Sequence, residues 1–278
     1  MKLRTTAAVL LLAATACAKA ATTGGPSIGP SPSGGAHDLV LRVDVQGGFI
    51  SPDVLLARVP TFSLYGDGTV VIPGVQPDIY PGAGLPTLIR FRVDAAGMRA
   101  IVAAAIRAGL TSDRNLTTPV VSDMPTTVFT LTVGETTHTV RVYALGATGG
   151  ARMPPAELRA RQALARFVGQ LGDLRSWLPA GSVGPDAPYR PAGSRIYVSP
   201  YRPGSVEEPA VAWPLSPPLA TFGARAQMGY RCGVATGADW SDRLAPAVAH
   251  ATSITPWTSD GSRYSLIFRP LLPDETGC

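Results

Sequence analysis

Three tight turns decide what this chain can fold into. Gly66-Asp67-Gly68 lies between the β-rich runs 61–65 and 69–72, Gly134-Glu135 between 126–133 and 136–144, and Asp260-Gly261 between 255–258 and 263–269. Glycine beside an acidic residue between two such runs marks a β-hairpin, because the tight turn needs positive φ. The flanking runs alternate as strands do. Leu39, Leu41, Val43 and Val45 are set against Val40, Arg42, Asp44 and Gln46; Phe129, Leu131 and Val133 are set against Thr130 and Thr132. A period of two gives each strand one face to bury. Further strands are expected at 54–59, 87–93, 195–199, 210–213 and 230–234. The first turn carries neither the spaced carboxylates of a calcium loop nor the lysine of a phosphate loop, so it reads as a turn.

The sheets need cover, and two segments supply it. Asp94 is placed to cap a helix over 95–108 that Gly109 ends. Met98, Ile101, Val102, Ala105 and Ile106 make its apolar stripe. Pro154-Pro155 opens a second helix, with Leu158, Leu164, Phe167, Val168, Leu171 and Leu174 on its buried side. The order hairpin, helix, hairpin, helix predicts an α+β fold: antiparallel β-hairpins with helices packed on one face. The Pro- and Gly-rich stretch 179–191 reads as a linker. It divides the body into two similar-sized subdomains, 37–178 and 192–278. In the second, Asp239 is placed to cap a helix to about residue 251, and Pro246 should kink it or shift its start.

Ahead of the body stands an export signal. Lys2 and Arg4 precede an apolar run over 7–16, which as a helix rises only about 15 Å and is too short to span a bilayer. Residues 1–16 are therefore expected to be removed, leaving Cys17 first. Ala14-Thr15-Ala16-Cys17 has the layout of a bacterial lipobox, with Ala14 where leucine is usual. Lipidation of Cys17 as a diacylglyceryl thioether, with two acyl chains such as palmitate, would hold the protein at the outer face of the cytoplasmic membrane. Ala14 keeps the alternative of ordinary cleavage and secretion open. Residues 17–36 are then a Gly/Pro/Ser tether, whose one bulky apolar residue is Ile28. Its root-mean-square reach is about 25 Å.

Composition narrows the chemistry. Hydrophobic residues make up 45% and charged residues 15%, and the formal charge is +5, of which Lys2 and Arg4 leave with the signal. So small and scattered an excess gives no footing for nucleic acid. The only lysines are Lys2 and Lys19, so the folded body has none. That excludes a Schiff-base lysine, a Ser-x-x-Lys pair and a phosphate-loop lysine. His37, His138 and His250 fall in no metal-ligand spacing, and neither a nucleophile elbow nor a dinucleotide fingerprint occurs. The expectation is no metal, no cofactor and no catalysis. Cys232 and Cys278 are the cysteines left once Cys17 is modified, and outside the cytoplasm they are expected to pair, closing a loop worth about 4 kcal/mol in the chain-entropy model. Two free thiols are the alternative.

One motif recurs: Tyr189-Arg190-Pro191, Tyr201-Arg202-Pro203 and, more loosely, Phe268-Arg269-Pro270. An aromatic ring beside arginine can stack on a sugar or clamp an anion. Tyr189, Arg190, Tyr201 and Arg202 are the candidate ligand contacts. The plainer account has proline ending each strand and arginine covering a ring.

Pro60-Thr-Phe-Ser-Leu-Tyr-Gly-Asp-Gly68, Pro125-Thr-Thr-Val-Phe-Thr130 and Phe268-Arg-Pro-Leu-Leu-Pro-Asp-Glu275 together resemble a family of uncharacterised secreted lipoproteins from high-GC Gram-positive bacteria. The first half is also similar to a domain of unknown function with a Tyr-Gly-Asp-Gly hairpin followed by a helix. The resemblance implies export and a β-rich α+β fold, and brings no catalytic or binding residues. The expected function is therefore that of a membrane-anchored extracytoplasmic lipoprotein whose non-catalytic body binds an envelope ligand or partner. A secreted enzyme acting on envelope polymers through a distributed site is one alternative, and a structural envelope spacer is another.

Overall fold

The alternating apolar residues at the start of the body form β1 (Leu39–Gly47), the central strand of a large sheet. The computed structural model describes residues 35–118, 121–147 and 153–278. The export signal, Cys17 and most of the tether lie outside the described residues. Eight strands build the first sheet: β1, β2 (Phe62–Tyr65), β3 (Thr69–Pro73), β4 (Leu88–Arg92), β5 (Arg114–Leu116), β6 (Pro125–Val133), β7 (Thr136–Tyr143) and β8 (Ala187–Pro188). Their spatial order is β5-β7-β6-β1-β2-β3-β4-β8. A second sheet of six strands follows: β9 (Gly193–Pro200), β10 (Val211–Ala212), β11 (Ala224–Arg225), β12 (Arg231–Thr236), β13 (Pro256–Ser259) and β14 (Ser262–Pro270), in the order β10-β13-β14-β9-β12-β11. Pairing is antiparallel except for β5 with β7 and β10 with β13. The architecture is α+β, as the hairpin-and-helix order predicts.

Each face of the first sheet has its own role, and the register shows it. Leu131, Leu41, Leu64, Val70 and Phe91 are successive cross-strand partners from β6 to β4. They face α2 (Ala95–Arg107) and α3 (Pro155–Gly172), whose Met98, Ile101, Val102, Leu164 and Phe167 close the main core. Asp94 caps α2 by accepting from the Gly97 amide at 2.7 Å. Arg161, also on the buried side of α3, is 2% exposed. Its guanidinium donates to Glu157 and to the carbonyls of Tyr143, Ala144 and Leu116, so α3 is riveted to the sheet edge. The opposite face carries the row Thr130, Arg42, Ser63, Val71, Arg90 and Ala187, again successive partners from β6 to β8. That polar face looks toward the C-terminal segment.

Three expectations need correction. The strand at 54–59 is instead α1 (Pro52–Ala57): Ser51 accepts from the Val54 amide, and Pro52 suits the first turn. The segment 179–191 holds β8, which pairs with β4; the Asp94 amide donates to the Ser182 carbonyl and the Gly184 amide to the Arg92 carbonyl. A sequence read as linker is thus tied into the first sheet over much of its length. The helix near Asp239 is split: a π-helical stretch over Asp239–Leu244 gives way to α4 (Ala245–Val248), with Pro246 in the first turn of the latter. The stretch is nevertheless continuous, with αR backbone at Leu244 and Ala245, so Pro246 does not shift its start; Ala238 is the N-cap, and Asp239 caps nothing.

Three contacts join the sheets. Ala83 bridges to Thr252 in the loop after β3, placing Leu85 against the second core. Leu56 of α1 packs with Tyr197 and Cys232. The last residues of the chain lie across the polar face of the first sheet.

Candidate functional site

The C-terminal segment builds the site. After β14, residues 271–278 run back over β2, β3 and β4. The chain is held by side chains that the strand period places on that face. Arg42 donates to Asp274 at 2.8 Å, to the Tyr65 hydroxyl at 3.1 Å and to Ser63 at 3.2 Å, and the Tyr65 hydroxyl donates to Asp274 at 3.1 Å. Arg269 grips Glu275 with both terminal nitrogens, at 2.6 and 2.8 Å, and its Nε donates to the Arg58 carbonyl. Tyr189 donates to the Leu271 carbonyl at 2.8 Å. Beneath these bonds Leu272 packs on Tyr65, Val71 and Leu88. At the far end Arg195 donates to the Gly277 carbonyl, and the Cys278 and Cys232 sulfurs stand 2.02 Å apart.

Where the segment stops short of the β4 edge, a cleft of about 980 Å³ opens. Its floor is β4, where Leu88 is covered by Leu272 while Arg90 and Arg92, at the next positions on the same face, are left open. Its walls are the stretch after β8, with Tyr189 and Arg190, and the C-terminal segment from Leu271 to Thr276; His37 stands at the rim. Eight ionisable groups line it: His37, Tyr65, Asp67, Arg90, Arg92, Tyr189, Arg190 and Glu275. Arg92 lies 3.4 Å from Asp67, and Glu275 is bound by Arg269. Arg90 and Arg190 therefore have no carboxylate partner among the described residues.

The titrating groups of the wall are held away from neutrality. Burial pushes the Tyr65 phenol well up, with Asp274 adding to it and Arg42 opposing. Burial and the nearby Glu275 and Asp274 carboxylates push Tyr189 up to about 12, against the pull of Arg90. For Glu275, burial works against the charged form, but the hydrogen bonds and charge of Arg269, helped by the Leu272 amide and Arg42, hold its carboxyl below the usual range. Arg42 is likewise held more firmly protonated: burial works against its charge, but the bond to Asp274 and the nearby Tyr65, Asp274 and Glu275 together outweigh it. These are groups locked in one protonation state, poorly suited to move protons at pH 7.

The four candidate contacts separate. Tyr189 and Arg190 line the cleft; Tyr201 and Arg202 do not. The pairs flank β9, whose eight residues span about 26 Å. Tyr201 continues the pairing with its amide on the Arg263 carbonyl, and Arg202 is exposed beyond it. Arg269 of the looser third motif is buried under Glu275. Arg90 and Arg92 were missed by motif reasoning, although a signal existed. In Leu88-Ile89-Arg90-Phe91-Arg92, one face of a strand passes from leucine to two arginines, which is the pattern of a covered end and an open one. Among the described residues no group of three or more His, Cys, Asp or Glu gathers as a metal site, and no helix is long and apolar enough to cross a membrane.

No protein-family model, curated protein or solved structure matches this chain.

Proposed function

We propose that this chain is an extracytoplasmic lipoprotein, held at the outer face of the cytoplasmic membrane by lipid on Cys17, whose body binds an envelope ligand in the cleft over β4 without catalysis. The export signal, the lipobox layout and the resemblance to secreted lipoproteins of high-GC Gram-positive bacteria support the address. One observation carries the binding role. Arg90 and Arg190 open into the cleft without carboxylate partners, while Tyr65, Tyr189 and Glu275 are engaged in holding the wall. Open cations beside locked proton donors suit recognition better than proton transfer.

The anchor has a direct test. Cys17→Ala should move the protein from the membrane fraction to the medium, and the wild-type N-terminal peptide should carry the mass of a diacylglyceryl group. Retention of the variant on the membrane would refute the anchor. Secretion after ordinary cleavage would leave the wild type itself in the medium.

His37 at the rim favours a second reading, a secreted enzyme acting on envelope polymers. That reading requires release of soluble fragments from isolated cell walls and loss of the release in His37→Ala. The binding reading predicts no fragments from either protein.

A further inference from the structure

Resting on that reading of the cleft, we propose that its ligand is recognised through a phosphate group gripped jointly by Arg90 and Arg190. The two arginines come from neighbouring chain segments. Arg90 is paired with Ala187 across β4 and β8, and Arg190 follows three residues later, where the Tyr189 amide still bonds the Leu88 carbonyl. Both residues line the same cavity.

The charge balance of that cavity decides the sign of the ligand. Of its two carboxylates, Asp67 is held by Arg92 and by the Thr69 amide and hydroxyl, at 2.8 and 2.9 Å. Glu275 is enclosed by Arg269 and the Leu272 amide. Neither is free to repel an anion or to bind a cation. The surplus belongs to the two arginines, and Arg90 is close enough to act on the Tyr189 phenol.

The chemistry of two guanidiniums then selects the anion. A planar fork satisfies both oxygens of a carboxylate, so one arginine is enough for it. A phosphate presents three terminal oxygens and up to two charges, and it accepts two forks from different sides. The walls fit such a group at the end of something larger, since a cleft of about 980 Å³ far exceeds one phosphate. Tyr189 and the backbone at Gly184 and Gly237 border the remaining space. A phosphorylated wall polymer, a lipid headgroup and free phosphate share this chemistry.

The test is calorimetric titration of the full mature chain with inorganic phosphate, glycerol 3-phosphate, phosphatidylglycerol vesicles and, as the carboxylate control, acetate, all at one ionic strength. Phosphate-bearing probes should bind at least tenfold more tightly than acetate. Arg90→Ala and Arg190→Ala should each weaken them about tenfold, in keeping with charge-assisted hydrogen bonds. Arg99→Ala, on the exposed side of α2, should change nothing. Tightest binding to glycerol 3-phosphate points to a polymer, to vesicles a lipid headgroup, and to inorganic phosphate the free ion. Acetate binding as tightly as phosphate, with both arginines needed, would overturn the phosphate assignment and leave the cleft as the binding site. Phosphate binding unaffected in the Arg90→Ala/Arg190→Ala double variant would overturn the assignment and the cleft reading together. The circular dichroism of each variant shows that it has folded.

Discussion

Arg269 and Glu275 form the best-enclosed ion pair near the cleft, with side chains 9% and 13% exposed. Breaking such a pair leaves a charge without its partner. Arg269→Ala should therefore cost about 3 kcal/mol in urea unfolding, and an unchanged midpoint would show that the pair adds nothing. The direction of the Glu275 shift fixes the acid behaviour. Its native carboxyl titrates below its unfolded value, so its contribution is present above the unfolded pKa of about 4.3 and is lost as pH falls through the native one. Glu275→Gln should flatten the loss of stability below pH 4.5. Tyr65 and Tyr189 act at the other end. Their native values are raised, so their contribution is full below an unfolded pKa near 10 and declines as pH rises above it. The decline in stability between pH 10 and 11 should shrink in Tyr189→Phe, measured against wild type. None of these roles was legible in the sequence. Arg42, Tyr65 and Asp274 are separated by up to 232 positions, and no local pattern reports a contact that only the folded chain makes.

Among the elements, the hairpins and the two long helices were legible because their signals are local: alternation, a cap, a turn glycine. Gly68 shows how strict such a signal is. Its φ is +84°, and an added Cβ would lie 2.2 Å from the Val93 carbonyl oxygen. Gly68→Ala should cost about 2 kcal/mol through strain and displacement of β4, seen as a lowered thermal midpoint. Wild-type stability would remove the turn from the account. Ile101 is fully buried on the inner face of α2, so Ile101→Asp should abolish the cooperative unfolding transition. What the sequence concealed were elements whose cause lies elsewhere. The strand expected at 54–59 is apolar enough for a strand, yet Ser51 and Pro52 start a helix that then rests on the second sheet. Two-residue strands such as β8 exist because a neighbouring edge offers partners, and their composition still reads as loop.

For the molecule as a whole, the C-terminal segment belongs to one sheet by chain order and to the other by contact. It leaves β14, crosses the polar face of the first sheet and ends with Cys278 beside Cys232 in β12. The wall of the cleft is thus joined to the second sheet at Cys278. Cys278→Ser should lower stability by about 2–4 kcal/mol and weaken phosphate binding, whereas a variant that binds as wild type would show that the ion pairs hold the segment alone. The approach of Cys232 and Cys278 was foreseeable by counting cysteines; that it ties down the wall of a cleft was not, because nothing near Cys278 in sequence lies on β4. The central claim is that β4, the stretch after β8 and the C-terminal segment form one ligand-binding unit. Amide hydrogen exchange of the full mature chain, with and without glycerol 3-phosphate, tests it most directly. Slowed exchange is expected in 184–192 and 271–276 together, with the edge of the second sheet at β10 unaffected. Exchange unchanged in both segments at saturating ligand would contradict it.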